Sequence, residues 1–193
     1  MTTMARTYMK SLQETETAAV IDTAVPVGLR ADPSSVVTRL FARDGLSLYR
    51  FCRSMLHGSG DAEDVVQDTF VKLLQHLRAD GDRSNLRAWL FAVAANACRD
   101  RARAGMRWLP WRAELDRRTV PAVEPREPAA ATSDHRRARA ALDALAPRDR
   151  MLLSLRAQGL SYREVAVATG IAEKSVGRLL ARAVARWKKN IDT

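Results

Sequence analysis

Apolar and polar residues follow each other through most of the chain with the three- and four-residue spacing of amphipathic helices. The spacing predicts a first group of helices over 34–56, 61–77 and 86–103, and a second group from 134 to 188. Clusters of Gly, Pro and β-branched residues are sparse, whereas Ala, Leu and Arg, which favour helix, are abundant. The sequence therefore predicts an all-α protein.

The same pattern divides the chain into four segments. Residues 1–33 are polar and aperiodic, which predicts a flexible N-terminal tail. Residues 34–104 and 134–193 each have their own apolar helix faces, which predicts two small helical domains, the first opening with Ser34 or Ser35 as N-cap. Residues 105–133 contain four prolines and no periodic apolar face, which predicts a flexible Pro-rich linker.

The C-terminal domain contains a helix-turn-helix pattern. Gly159 can end one helix, and Ser161 with Glu164 three residues later forms a capping box for the next. Gly170 supplies the turn, and a second helix over 173–188 has a basic face. Such a helix fits the DNA major groove, and the alternative is a helical hairpin with a solvated basic face.

Charge strengthens the DNA interpretation. The formal net charge is +10, and residues 134–193 alone contain 13 basic and 6 acidic side chains. An excess of positive charge on a candidate recognition module favours a polyanionic partner.

The helix over 61–77 is acidic, which is unusual in a basic protein. Asp61 suits the N-cap, and the first turn is acidic, as the helix dipole favours. Its exposed face either is only solvated or docks on a basic partner protein.

The following loop, 78–85, is rich in turn residues, and Ser84 or Asn85 can cap the helix that starts at Leu86. The arginines near the end of that helix suit its dipole or form a basic track for a nucleic-acid backbone.

No pattern predicts catalysis, a cofactor or a metal site. Cys52 and Cys98 lie far apart in the sequence, which favours reduced buried thiols over a disulfide. The histidines His57, His76 and His135 are scattered without metal-ligand spacing. No apolar run has transmembrane length, so we expect a cytoplasmic protein without membrane insertion.

Three motifs in this order resemble the extracytoplasmic-function (ECF, group IV) RNA polymerase sigma factors. They are DAEDVVQDTF at 61–70, SNLRAWLFAVAANACRDR at 84–101, and the C-terminal helices over 142–183. The resemblance implies a two-domain factor that binds core RNA polymerase through the β′ clamp helices and the β subunit. It implies recognition of promoter −35 and −10 elements, assistance in −10 melting, and an anti-sigma factor as a further partner.

The resemblance also implies site residues. The set for polymerase binding is Asp61, Asp64, Gln67, Asp68 and Phe70. The −10 set is Asp82, Arg83, Ser84, Asn85, Arg87, Asn96, Arg99 and Arg103. The −35 set is Tyr162, Arg163, Lys174, Ser175, Arg178 and Arg182. Loop 79–85 would capture a flipped base, and Trp89 is interpreted as a core residue first and a base-stacking residue second.

The recognition helix departs from the family. Gly177 stands where the family usually has Lys, Leu179 where it has Arg, and Ala172 offers no capping oxygen. The alternative function is an autonomous helix-turn-helix regulator. The acidic helix over 61–77 distinguishes the two, because a sigma factor needs it to bind polymerase and a regulator does not. A third class of function, an enzyme such as a nuclease, is not supported, because the histidines are scattered and have no metal-ligand spacing.

Overall fold

A computed structural model of the chain describes residues 32–56, 59–115 and 133–192. These residues form seven helices and no strand, which confirms the all-α prediction. The helices are α1 (Pro33–Met55), α2 (Ser59–Arg78), α3 (Leu86–Leu115), α4 (Ser133–Asp143), α5 (Pro147–Ala157), α6 (Tyr162–Thr169) and α7 (Glu173–Asp192).

Helix α1 begins one residue earlier than the first predicted N-cap. Asp32 is the N-cap, and its Oδ2 accepts a hydrogen bond of 3.0 Å from the Ser35 backbone N–H. Pro33 then occupies the first helical turn, where its missing N–H costs nothing. The predicted caps Ser34 and Ser35 are therefore wrong, and the predicted tail 1–33 ends inside the helix start. Residues 1–31 lie outside the described residues.

The helices α1, α2 and α3 pack against one another around an apolar core. Leu48, Phe51, Leu73 and Leu90 are fully buried there. The ring of Phe51 meets that of Phe91 edge to face, with centroids 5.7 Å apart. Such an aromatic pair stabilises the core beyond the effect of burying its apolar surface.

Two predicted boundaries in this half are wrong. Helix α2 begins at Ser59, so Asp61 lies in the first turn and is not the N-cap. Helix α3 continues past residue 103 to Leu115, so 105–115 of the predicted linker is helical. The apolar periodicity ends before this stretch, and Gly105 and Pro110 disfavour helix, which is why the sequence did not predict the continuation. The linker prediction for 116–132 lies outside the described residues.

The second half consists of α4 to α7. Pro147 opens α5, where its missing N–H costs nothing. Helix α5 contacts α6 and α7 on one side and α1 of the first half on another, and all residues from Met151 to Arg156 are buried. A helix buried all round has neighbours on every face. The two halves therefore share one continuous apolar core, which α3 extends by packing against α6.

Candidate nucleic-acid and protein interfaces

The acidic face of α2 is displayed to solvent. Asp64, Gln67 and Asp68 are exposed, and Asp61 is half-buried in the first turn. Phe70, predicted to belong to the same surface, is only 7% exposed. Its ring instead packs edge to face on Phe41 of α1, with centroids 5.1 Å apart. Phe70 therefore supports the surface from below and does not form part of it.

Beside this face lies an apolar groove that sequence reasoning missed. The groove has a volume of about 720 Å³ and runs between α1 and α2. Its rim includes Phe41, Leu46 and Val71, which are 57%, 60% and 50% exposed. Phe41 has the same three- and four-residue spacing as the buried apolar residues of α1, and that spacing alone predicts a core position for it. Large exposed apolar side chains side by side mark an interaction surface.

The loop between α2 and α3 is held by hydrogen bonds from its own residues. The Asp82 carboxylate accepts from the Ser84 backbone N–H at 2.9 Å and from its hydroxyl at 2.8 Å. These bonds, with the backbone one first, lower the pKa of Asp82. Arg83 donates to the carbonyl of Leu77 at 3.2 Å. Asn85 accepts from the Ala88 N–H at 2.9 Å, which confirms it as the cap of α3.

His76 is a functional candidate that sequence reasoning did not select. Its ring stacks on Trp89 with centroids 4.6 Å apart and planes 26° from parallel. Its Nε2 lies 2.9 Å from the carbonyl oxygen of Asp82. Trp89 is half-buried and packs against the core, in line with its interpretation as a core residue first. The signal available in the sequence was a histidine one turn before a Gly-containing loop.

The predicted basic track on α3 is partly neutralised. Asn96 is exposed and accepts a hydrogen bond from Arg99 one turn later. Arg103 is exposed and lies 3.8 Å from Asp100. Arg101 donates to the carbonyl of Asp61 and lies 3.4 Å from Asp68. This arginine therefore ties the end of α3 to the acidic face of α2.

Arg87, in the first turn of α3, connects the two halves of the protein. Its Nε lies 3.1 Å from Asp44 Oδ1 on α1. Its Nη2 donates to the carbonyl of Gln158 at 2.6 Å, and its Nη1 to that of Gly159 at 3.3 Å. Nη1 also lies 3.7 Å from Glu164 of α6. The structure thus places this member of the −10 set against the helix-turn-helix.

The helix-turn-helix has the predicted local geometry. The Ser161–Glu164 capping box is complete, and Gly159 and Gly170 have positive φ angles of 79° and 71°. The Ser175 N–H bonds to the backbone carbonyl of Ala172, which compensates for the missing capping side chain. Both turns are therefore fixed by local chemistry.

The −35 set lies on the surface of this motif. The exposed members are Tyr162, Arg163, Lys174, Arg178 and Arg182, and Ser175 is half-buried. The Arg156 guanidinium sits 5.2 Å from the centroid of the Tyr162 ring. A Cβ on Gly177 would come within 3.4 Å of that ring. A Cβ at that distance would be in ordinary van der Waals contact with the ring, so Tyr162 packs beside α7 at Gly177.

The two cysteines meet in the core of the first half, although 46 positions separate them. Both are buried free thiols. A hydrogen bond with Cys98, together with burial, raises the pKa of Cys52 far above its usual range. In the described parts of the chain, no three His, Cys, Asp or Glu side chains converge on a possible metal site. Nor is any helix there long and apolar enough to span a bilayer.

Comparison with known proteins identifies both halves. Residues 40–107 match the Sigma-70 region 2 family, and residues 135–186 match the Sigma-70 region 4 family. The ECF RNA polymerase sigma factor EcfG of Rhodopseudomonas palustris is 30% identical over 139 residues, which cover 71% of this chain and 75% of EcfG. The ECF RNA polymerase sigma factor SigL of Mycobacterium tuberculosis is 33% identical over 78 residues, which cover 40% of this chain. The aligned part is 44% of SigL, so the chain spans about half the length of this relative.

Solved structures agree with these matches. The fold resembles CnrH in its complex with the cytosolic domain of CnrY, with a TM-score of 0.60 and 28% identity, covering 84% of this chain and 96% of that one. It also resembles the sigma factor RpoE in complex with the anti-sigma factor NepR from Bartonella quintana, with a TM-score of 0.64 and 25% identity. That match covers 81% of this chain and 96% of the other.

Proposed function

The chain belongs to the extracytoplasmic-function family of RNA polymerase sigma factors, and we propose that it binds core RNA polymerase and directs promoter-specific transcription initiation. The observation that carries this proposal is the order of two modules on one chain. A region 2 module with an exposed acidic helix face precedes a region 4 module with an exposed basic recognition helix. We assign the chain to group IV of these factors on the resemblance of its motifs.

The acidic face of α2 is the proposed docking site for core polymerase. Asp64, Gln67 and Asp68 project from it, and Asp61 lies at its start. By the family resemblance, the partners are the β′ clamp helices and the β subunit. Phe70 contributes by holding α2 against Phe41.

The loop 79–85 and helix α3 are the proposed −10 reader. Asp82, Ser84 and Asn85 are exposed around the loop, with Arg83 half-buried between them. A flipped base would be captured there and read by hydrogen bonds, as in other single-strand readers. The further members of this set on α3 are Arg87, Asn96, Arg99 and Arg103.

Helix α7 is the proposed −35 reader. Arg178 and Arg182 are exposed one turn apart, and Lys174 precedes them by another turn. Residues four apart share one helix face, so these cations can follow one edge of the major groove. Tyr162, Arg163 and Ser175 complete the set. The segment 34–104 is the proposed domain for core polymerase and −10 binding, and 134–193 is the proposed −35-binding domain.

The remaining partners follow from the family. CnrH and RpoE are described in complexes with the cytosolic domain of CnrY and the anti-sigma factor NepR, and we propose an anti-sigma factor for this chain as well. Sigma factors are generally non-enzymatic, and we propose no catalytic activity or cofactor here. Its place of action is the cytoplasm. The alternative, an autonomous regulator, is not favoured because it gives no role to a region 2 module.

Competition for core polymerase tests this function. Labelled protein is titrated into bacterial core RNA polymerase, with an established sigma factor as competitor. Tight binding that the competitor reverses is expected, and Asp64→Lys with Gln67→Ala should abolish it while the far-UV circular dichroism stays the same. Asp192→Lys, a charge reversal at the exposed end of α7, is the matched control and should bind normally. Absence of binding by a folded wild-type protein would overturn the proposal.

A further inference from the structure

The loop that we assign to base capture is built around one side chain, His76. The ring lies in the last turn of α2 and stacks on Trp89 of α3. Since the Asp82 carbonyl can only accept, the 2.9 Å bond requires the proton on Nε2 of His76. The backbone carbonyl of His76 in turn accepts from the Gly81 N–H at 2.9 Å. His76 therefore holds the loop through hydrogen bonds of both its ring and its backbone carbonyl.

Gly81 lies directly against the His76 ring, where there is no space for a side chain. A Cβ added at Gly81 would overlap the His76 ring at Cε1, Nδ1 and Nε2. The described glycines with positive φ are Gly159 and Gly170, so backbone conformation is not what calls for glycine at 81. Contact with the imidazole is the reason. The loop backbone and the ring are thus fitted to each other.

A chain of hydrogen bonds connects His76 to the side chains that would face DNA. His76 fixes the carbonyl of Asp82, and the Asp82 carboxylate holds both the N–H and the hydroxyl of Ser84. Asn85 follows at once as the cap of α3. His76 is itself half-buried beneath the loop, whereas Asp82 and Ser84 are exposed. The ring is placed to orient these side chains.

We propose that His76 is a positioning residue for base capture: it sets the shape of loop 79–85 through the stack on Trp89, the bond to Asp82 and the contact with Gly81. This inference rests on the proposed function, because it concerns how that function's −10 loop is shaped. His76 acts through Asp82 and Ser84.

A double-mutant cycle tests the proposal in the holoenzyme. The probe is a single-stranded DNA selected from a random-sequence pool by the wild-type holoenzyme, compared with versions changed at each base. Gly81→Ala should weaken binding about tenfold and reduce discrimination at one base position, since the displaced loop no longer holds the captured base. His76→Ala should do the same. The double variant should be no weaker than His76→Ala alone, because the added methyl then has no ring to meet.

Two further variants separate the causes. Gly60→Ala is the matched control, since a Cβ there meets no atom within 4 Å, and it should bind like wild type. His76→Phe retains a ring on Trp89 but cannot donate to Asp82, so it should keep core binding and thermal stability yet lose base discrimination. If His76→Ala does not fold, His76→Leu, which is also without a ring but retains apolar contact with Trp89, replaces it in the cycle.

The outcomes are distinguishable. Effects of Gly81→Ala and His76→Ala that multiply in the double variant would overturn the role of His76, as would full base discrimination in His76→Phe. Failure of the wild-type protein to bind core polymerase, or to select any single-stranded sequence, would instead overturn the proposed function.

Discussion

Arg87 and Asp44 form an ion pair of 3.1 Å between α3 and α1, and Asp44 is only 3% exposed. Arg43 lies 2.7 Å from the other carboxylate oxygen. The two Nη atoms of Arg87 each donate to a backbone carbonyl just after α5, those of Gln158 and Gly159. One side chain thus supports a buried charge in the first half and a helix terminus in the second.

Arg87→Ala should destabilise the protein by about 2–3 kcal/mol. Removing one partner of a buried pair costs about 3–5 kcal/mol, and Arg43 retains part of the interaction with Asp44. Urea unfolding followed by circular dichroism measures the change. Arg50→Ala, at an exposed position of α1, is the control and should stay within about 0.5 kcal/mol of wild type. A similar small change for Arg87→Ala would contradict the structural role.

Arg178→Ala and Arg182→Ala should each weaken binding to a −35 duplex. Loss of a phosphate contact would reduce the salt slope by about one, whereas loss of a base contact would cost about 1–3 kcal/mol and relax specificity. Fluorescence anisotropy at several salt concentrations distinguishes the two. Lys188→Ala, exposed on another face of α7, should have a smaller effect. Wild-type binding by both arginine variants would remove them from the interface.

Ser161→Ala should destabilise the protein by about 1 kcal/mol, the usual effect of losing an N-cap side chain. The Ser161 hydroxyl accepts from the Glu164 N–H at 3.2 Å, and α6 loses this bond in the variant. Thermal or urea unfolding checks the value. Ser34→Ala, exposed in the first turn of α1, is the matched control and should be nearly neutral. An equal effect of both variants would mean that the cap does not stabilise α6.

Stability should fall at alkaline pH because of Cys52. The hydrogen bond with Cys98 and burial raise the pKa of Cys52 in the folded state, so the unfolded chain loses that proton first. The contribution is complete below the unfolded pKa of about 8.5 and is lost as pH rises above it, by up to about 1.4 kcal/mol per pH unit. Urea unfolding between pH 7.5 and 9.5 measures this slope.

Cys52→Ala is the comparison for that slope. The variant should be less stable than wild type at neutral pH because it leaves a cavity in the core. Its stability should nevertheless fall less steeply above pH 8.5, since the titrating thiol is gone. Identical slopes for the two proteins would contradict the assignment.

Features fixed by neighbouring residues were predictable from the sequence. The Ser161–Glu164 box and the turn at Gly170 occur as predicted, and Asn85 is one of the two predicted caps of α3. Each of these features involves partners within four positions. The start of α1 could not be predicted in the same way, because Asp32, Ser34 and Ser35 can all cap a helix. Pro33 favours Asp32 as the cap, since proline is best placed in the first helical turn.

Features that depend on distant contacts could not be predicted. Periodicity placed Phe41 on an apolar face but could not tell that α2 covers only part of that face. The partners of Arg87 just after α5, Gln158 and Gly159, are 71 and 72 positions away, and no local pattern predicts them. His76 meets Trp89 only because the intervening loop returns the chain onto α2.

The donors of Arg87 bear on how tightly the protein can bind a promoter. The Arg87 guanidinium is directed at Asp44 and at the carbonyls of Gln158 and Gly159, and its side chain is only 24% exposed. With Arg87 in the −10 set, closure of the two halves and occupation by DNA compete for the same side chain. Apparent promoter affinity is then the intrinsic affinity scaled by the fraction of molecules in which the halves have separated. A polymerase that holds them apart would raise that affinity without touching DNA at all.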